Sequence, residues 1–327
     1  LKFAAHDNGM WSVETLGSYS RITDIDLVVD SNGIPHIMHL NATYNMGDNG
    51  EPVYTTKTNG IWIESTLQGG TITTNLSLSI DSSDSITFTR YYETATPTYT
   101  FARYSCSTDC GTWSNWNQDS NINQDTAYFE TVNGHEVFID NSQNGLYYRS
   151  GSGTSPYLVS REVSQSDTYM VASIDAAPDG TVGIAHTNDT TYKTYFSYCS
   201  STCSTLSSWT TELVSTDTSS EVVLQYDADG TPWILLTHNT TGATLFKSDN
   251  GQWDGQAIST WPGAADSFGM IINSAGYVFT SLHLVTPGEL WVVTNPAITG
   301  AGLYVDADGD GWTGLEEISC GTDRMSP

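Results

Sequence analysis

The chain has 327 residues and carries 37 Asp and Glu against 10 Lys and Arg, a formal net charge of −27. So acidic a surface repels nucleic acid and anionic lipid, because phosphate binding needs clustered cations; it suits salty or calcium-containing water, and plain solubility explains it as well as an acidic binding surface does. Gly, Ser, Thr, Asn and Asp are abundant, no apolar run nears the roughly 18 residues that span a bilayer, and no stretch sustains a 3.6-residue apolar period, which excludes a helical or helix-spanning membrane architecture.

The chain opens on a strand pair, LKFAAHDNGMWSVETL, turning at Asn8-Gly9, the dipeptide preferred in two-residue hairpins. A unit then follows that is written six times: an apolar run, a tight turn ending in Gly or Asp, and a second apolar run. The turns are DSNG at 30–33, DSSD at 81–84, TVNG at 131–134, PDG at 178–180, DADG at 227–230 and NSAG at 273–276, their last residues 46 to 51 apart. The second copy shows the whole unit: strand a at 76–81, b at 86–92, c at 99–106, and d beginning near Trp116. KTNGIW at 57–62 and SDNGQW at 248–253 are c–d turns of the same kind as HDNGMW at 6–11. The Trp that follows each such connection (Trp11, Trp62, Trp116, Trp209, Trp253) is expected to pack between adjacent copies, with Tyr157 in that place in the third. The last copy has strands at 268–273, 277–285 and 289–295 and no clear fourth.

A period of about 40–50 residues with several short strands per copy is the signature of a β-propeller. The expected fold is all-β: a six-bladed β-propeller over residues 1–300, with seven blades as the alternative, and a short C-terminal segment at 301–327. Pairing an N-terminal strand with the C-terminal blade closes the ring and hides its edges. The count leaves one c strand over. It caps a blade, or the chain is part of a longer array, or the strand pairs with a neighbouring molecule.

Cys106 and Cys110 form CSTDC, Cys199 and Cys203 form CSSTC, and each pair lies ten residues before its Trp. A shared four-thiolate zinc site is the alternative to two local disulfides. The pairs belong to copies two apart, too far to share a metal, so disulfides and an oxidising, extracellular compartment are expected. No signal peptide is visible, which fits a mature or trimmed form. Sequons at Asn41, Asn75, Asn188 and Asn239 are permitted on such a surface, although so Thr-rich a chain makes several by chance.

The motif with the most chemistry is DADGDGWTGLEE, residues 306–317. It fits the calcium-loop pattern without a gap. Asp306, Asp308 and Asp310 occupy positions 1, 3 and 5, Gly311 makes the sharp turn, Trp312 offers its backbone carbonyl, and Glu317 chelates through both oxygens. Hard oxygen ligands at alternating positions select Ca²⁺ over Mg²⁺.

A second constellation lies on the b strands. Six residues after each a–b turn stand His39, Arg90, Asp140, His186, Leu236 and Leu282. Four ionisable side chains at one ring position can line a pocket with acid, base and cation together, or each can be hydrogen-bonded separately between blades; the second is favoured. His36, His238 and His283 are not in register with them, which argues against a histidine metal site.

The repeats resemble the BNR and Asp-box propellers, the group that contains sialidases; SDNGQW stands where that family's box lies, shortened. The resemblance covers residues 1–295 and implies a propeller and a link to glycans. Sialidase chemistry would need three arginines gripping a carboxylate and a Tyr–Glu nucleophile pair. Of Arg21, Arg90, Arg103, Arg149 and Arg161, only Arg90 stands at a pocket position, so no catalytic residues are assigned. Residues 306–327 resemble a thrombospondin type-3 calcium repeat, with Arg324 and Met325 departing from the usual Pro-Leu. That resemblance implies a protein continuing past Pro327, with Cys320 pairing in a following repeat; a dockerin would need a second loop.

The expected function is therefore an extracellular calcium-binding propeller module that contacts glycans or proteins, without nucleic acid or a membrane span. The alternatives are a carbohydrate-active enzyme (glycoside hydrolase or polysaccharide lyase) built on His39, Arg90, Asp140 and His186, and a filament subunit that self-associates through the spare strand.

Overall fold

The computed structural model describes residues 1–7, 10–17, 22–41, 50–67, 73–95, 98–122, 126–132, 134–140, 145–150, 155–160, 172–188, 191, 193–217, 221–238, 242–249, 251–259, 265–273, 276, 278–284 and 290–295. Within them the chain forms 25 strands and two single-turn 3-10 segments, Trp113–Asn115 and Leu206–Ser208. It divides into two compact units, residues 1–170 with 204–206, and residues 171–203 with 207–327.

In the first unit, β1 (Lys2–Asp7) and β2 (Met10–Thr15) make a hairpin. Three four-stranded antiparallel sheets follow, each running in sequence order. The first is β3 (Ile22–Val29), β4 (Pro35–Asn41), β5 (Glu51–Thr58) and β6 (Ile61–Thr66); the second is β7 (Thr73–Ile80), β8 (Ile86–Ala95), β9 (Thr98–Cys106) and β10 (Asn117–Ile122); the third is β11 (Thr126–Val132), β12 (His135–Asp140), β13 (Gly145–Ser150) and β14 (Tyr157–Ser160). The second unit has β15 (Ala172–Ala176), β16 (Val182–Asn188), β17 (Lys193–Cys199) and β18 (Thr210–Ser215), then β19 (Glu221–Tyr226), β20 (Pro232–His238), β21 (Gly242–Asp249) and β22 (Gln252–Ser259). It ends in the three-stranded sheet β23 (Ala265–Ile272), β24 (Val278–Leu284) and β25 (Leu290–Asn295).

The six a–b turns fall where the sequence puts them, for a local reason. Gly33, Gly134, Gly180, Gly230 and Gly276 take φ of +77 to +88°, and Asp84 takes +60°. That left-handed position favours glycine and tolerates Asp. Asp30 shows how the turn is held. Its carbonyl accepts the Gly33 N–H at 2.9 Å, and its Oδ1 accepts the N–H groups of Asn32 and Ile34 at 2.9 and 2.7 Å. Asp81 and Asp227 hold their turns in the same way. Between β5 and β6, Asn59 and Gly60 have φ of +52° and +79°, the pair of positive angles that a two-residue hairpin requires. The surplus c strand is present: β1 and β25 pair within their own hairpin and sheet, and the expected pairing that would close a ring is not among the described strand pairs.

Both local disulfides form, Cys106–Cys110 and Cys199–Cys203, each with its Cα atoms 5.7 Å apart. Each is followed by a 3-10 turn and a buried Trp, whose indole N–H returns to the second cysteine's carbonyl (Trp116 to Cys110 at 2.8 Å, Trp209 to Cys203 at 3.2 Å). Trp116 also meets Phe88 and Tyr54 edge-on, and thereby joins two sheets of the first unit. Trp62 and Trp253 instead donate to a carboxylate on the preceding d strand: Trp62 to Glu14 at 2.8 Å, Trp253 to Glu212 at 3.3 Å. Trp62, Trp116 and Trp253 thus pack between neighbouring strand sets, as expected, and Trp209 is buried beside its own disulfide; the side chain of Trp11 lies outside the described residues.

Candidate functional site

His39, Arg90, Asp140 and His186 stand on b strands, each sixth after its turn, so each occupies the same step of its own strand. Three of these side chains are described, and all three are buried. His39 and His186 are fully buried, and Arg90 nearly so. The Arg90 guanidinium donates to the Tyr104 hydroxyl at 2.9 Å from within its own sheet. His186 Nε2 lies 3.2 Å from Ser197 Oγ, which lies 2.8 Å from Thr211 Oγ1; the three side chains bridge β16, β17 and β18 across one sheet face. The His186 ring also stacks on Tyr195. Burial pushes His39 down to about 4 and His186 to about 3, so both are neutral at physiological pH. A general acid or base must reach its substrate, and side chains closed off in this way do not. The side chain of Asp140, and the entire calcium motif with Asp306, Asp308, Asp310, Trp312 and Glu317, lie outside the described residues.

Two polar arrangements became visible only in three dimensions. Glu136 on β12, fully buried, is held by Arg149 from β13 of its own sheet and by Arg103 from β9 of the preceding sheet, the latter at 2.9 Å. A buried carboxylate between two guanidiniums recovers its desolvation cost only as a complete set. It locks two sheets together and leaves no open anion seat. The sequence signal was a charge inside an apolar alternation, HEVFID, but nothing in it names partners 33 and 13 residues away.

The second arrangement is a carboxylate staple between inner strands. Asp26 Oδ1 accepts its neighbour's N–H (Leu27, 2.8 Å), and Oδ2 accepts the N–H of Leu78 on the next sheet's inner strand at 2.7 Å. Asp24 does the same with Ile25 and Leu76. In the second unit Asp175 repeats it with Ala176 and Tyr226. The inner strand of a sheet has an edge whose N–H groups no fifth strand can take, and these carboxylates take them. Burial nevertheless wins over the two donors and raises Asp24 to about 6 and Asp26 to about 7.

Among the described residues there is no group of three or more His, Cys, Asp or Glu able to hold a metal ion, and no helix long and apolar enough to cross a membrane.

No protein-family model matches this chain, and no curated protein sequence does. Solved structures do match. A Dyadobacter fermentans protein of unknown function aligns with a TM-score of 0.57 at 13% identity, over 82% of this chain and 92% of that one. The leech intramolecular trans-sialidase gives 0.59 at 10% identity over 81% and 65%, and the Hadza microbial sialidase Hz136 gives 0.53 at 10% over 81% and 66%. The chain thus spans a little under two thirds of the two sialidases. At these identities the likeness shows the fold alone: an all-β, propeller-like succession of four-stranded sheets.

Proposed function

We propose that this chain is a secreted carbohydrate-binding propeller module that recognises glycans without cleaving them, its six sheets serving as six blades and a calcium loop at 306–317 stiffening the segment that follows. The observation that carries this reading is the pairing of a propeller fold with ring-position residues His39, Arg90 and His186 that are buried, the latter two engaged inside their own sheets. The fold is one that other proteins use on glycans, while His39, Arg90 and His186 face packed interior. Two disulfides fit an oxidising, extracellular compartment. The calcium assignment rests on the sequence of the loop, whose Asp306, Asp308, Asp310 and Glu317 carboxylates and Trp312 carbonyl form a hard-oxygen set suited to Ca²⁺.

The test is a glycan array probed with the whole chain in calcium, beside turnover assays on sialylated conjugates and acidic polysaccharides. Binding without turnover is expected. Turnover would establish the enzyme alternative, and silence on a broad array would remove the glycan claim. Calcium titration calorimetry on the whole chain and on Asp308→Ala tests the loop separately: a heat of binding retained in the variant refutes it.

A further inference from the structure

The two disulfide loops are one local structure built twice, and they differ where that structure makes no demand. In each, the third residue after the first cysteine has a positive φ (Asp109 +50°, Thr202 +53°), a 3-10 turn follows, and a buried Trp returns its indole N–H to the second cysteine's carbonyl. Thr112 and Ser114 of the first loop match Thr205 and Ser207 of the second, whereas Asp109, Gly111, Trp113 and Asn115 stand against Thr202, Ser204, Leu206 and Ser208. Thr202 takes the same left-handed backbone, so closing the loop does not call for an aspartate. Leu206 opens the same 3-10 turn and is 49% exposed, so the turn does not call for an indole.

What the first loop carries instead is a set of groups that the fold leaves unspent. Asp109, Thr112 and Asn115 are exposed. Asp109 Oδ2 accepts the Thr112 hydroxyl and the Asn115 amide, both at 3.3 Å, and Asn115 Nδ2 also donates to the Asp109 carbonyl at 3.0 Å. Those bonds hold the side chains together yet leave Asp109 Oδ1 and Asn115 Oδ1 as acceptors, and the Trp113 indole N–H as a donor, without a protein partner among the described residues. Trp113 is half-buried: its ring meets Tyr104 at a tilt, 5.1 Å between centroids, on the core shared by the first two sheets. The loop lies along β6 of the preceding sheet, where a methyl group on Gly111 would come 3.7 Å from Ser65 Oγ and 3.9 Å from Ile63 Cγ2. On that strand Ile61 and Ile63 are 68% and 43% exposed. No ion pair reaches Asp109 among the described residues, so its charge is uncompensated.

We infer that this loop is a binding site for a neutral pyranose, which lays its C–H face on Trp113 and its hydroxyls on Asp109 and Asn115. The inference rests on the glycan-binding reading above and gives it a place and a sugar class. A pyranose presents hydroxyls that both donate and accept beside apolar C–H faces, and an indole flanked by a carboxylate and an amide answers both. A hydroxyl given to an ionised acceptor makes the stronger kind of hydrogen bond. The same carboxylate, with no cation beside it on a chain of net charge −27, repels the carboxylates of sialic and uronic acids. The site is therefore selective for uncharged sugars.

Calorimetric titration of the whole chain with glucose-, mannose- and galactose-terminated oligosaccharides, beside sialylated and uronate-containing ones, tests this. Saturable binding of a neutral sugar is expected, about tenfold weaker in Trp113→Leu, which installs the residue that the second loop already carries. Asp109→Asn keeps an acceptor in place and removes the charge, so it should weaken neutral-sugar binding several-fold and narrow the discrimination against sialylated glycans. Near-parent melting of each variant ties these losses to the sugar. Neutral-sugar binding that both variants retain in full overturns the site and leaves the glycan-binding reading standing. A parent chain that prefers acidic glycans overturns the sugar class, and silence toward every sugar removes both readings.

Discussion

Replacing Asp26 by Ser tests the carboxylate staple through its pH dependence. Asp26 sits at about 7 in the folded protein against 3.8 for an ordinary aspartate, raised first by burial and further by the charge of Asp24. Between those two values the folded chain binds the proton and the unfolded chain does not, so folding stability falls as pH rises from about 4 through 7. At about 1.4 kcal/mol per pH unit, the span gives a ceiling of about 4 kcal/mol. The side chain is only partly buried, solvent screening takes a share, and roughly 2 kcal/mol is the expected loss. Serine is the informative replacement because Ser173 occupies the equivalent step of another sheet and still accepts the next strand's N–H, from Leu224 at 3.0 Å. Denaturant melts at several pH values between 4 and 8 should therefore show the variant losing less stability with rising pH than the parent, by about that amount. Superimposable pH profiles for the two proteins would refute the assignment of a buried, proton-binding carboxylate at this joint.

His186 acts in the opposite direction. Its value of about 3 lies below the free imidazole's 6.5, so the parent loses stability as pH falls below 6.5; His186→Gln should flatten that acid limb by up to about 3 kcal/mol at pH 4, read in the same melts. Glu136→Gln leaves Arg103 and Arg149 buried without their carboxylate and should cost about 3–5 kcal/mol in thermal or chemical unfolding; a cost under about 1 kcal/mol would mean that the triad is solvated. Removing the Cys106–Cys110 disulfide by serine substitution opens a loop of only four residues' separation, for which chain entropy predicts about 2 kcal/mol, measured against the reduced parent as control.

The repeat was legible because its cause is local. A turn residue at positive φ favours Gly, Asn or Asp, so Gly33, Asp84, Gly134, Gly180, Gly230 and Gly276 announced the unit and fixed its period. Period-2 apolar runs on either side supplied the strands; for the second copy the expected b and c strands fall within those observed, and the expected a strand, 76–81, overruns the observed end at Ile80 by one residue. The CxxxC pairs and the Trp ten residues on were readable for the same reason: each closes a contact within a dozen residues. The ring position was readable as a step on each strand, but not as a site. Period and spacing place His39, Arg90 and His186 at one height on their strands, yet whether a side chain there meets water or a neighbouring sheet depends on what packs over it. The structure shows them enclosed.

The primary chain therefore determined the unit, its turns, its disulfides and its all-β class, since each follows from backbone angles and contacts between near neighbours. Tertiary structure alone decided what joins the units: which carboxylate caps which distant N–H, and that Glu136 sits between Arg103 and Arg149. Those partners lie 13 to 53 residues apart. Their pairing depends on how the inner strands stack, and no residue pattern within a single copy encodes that.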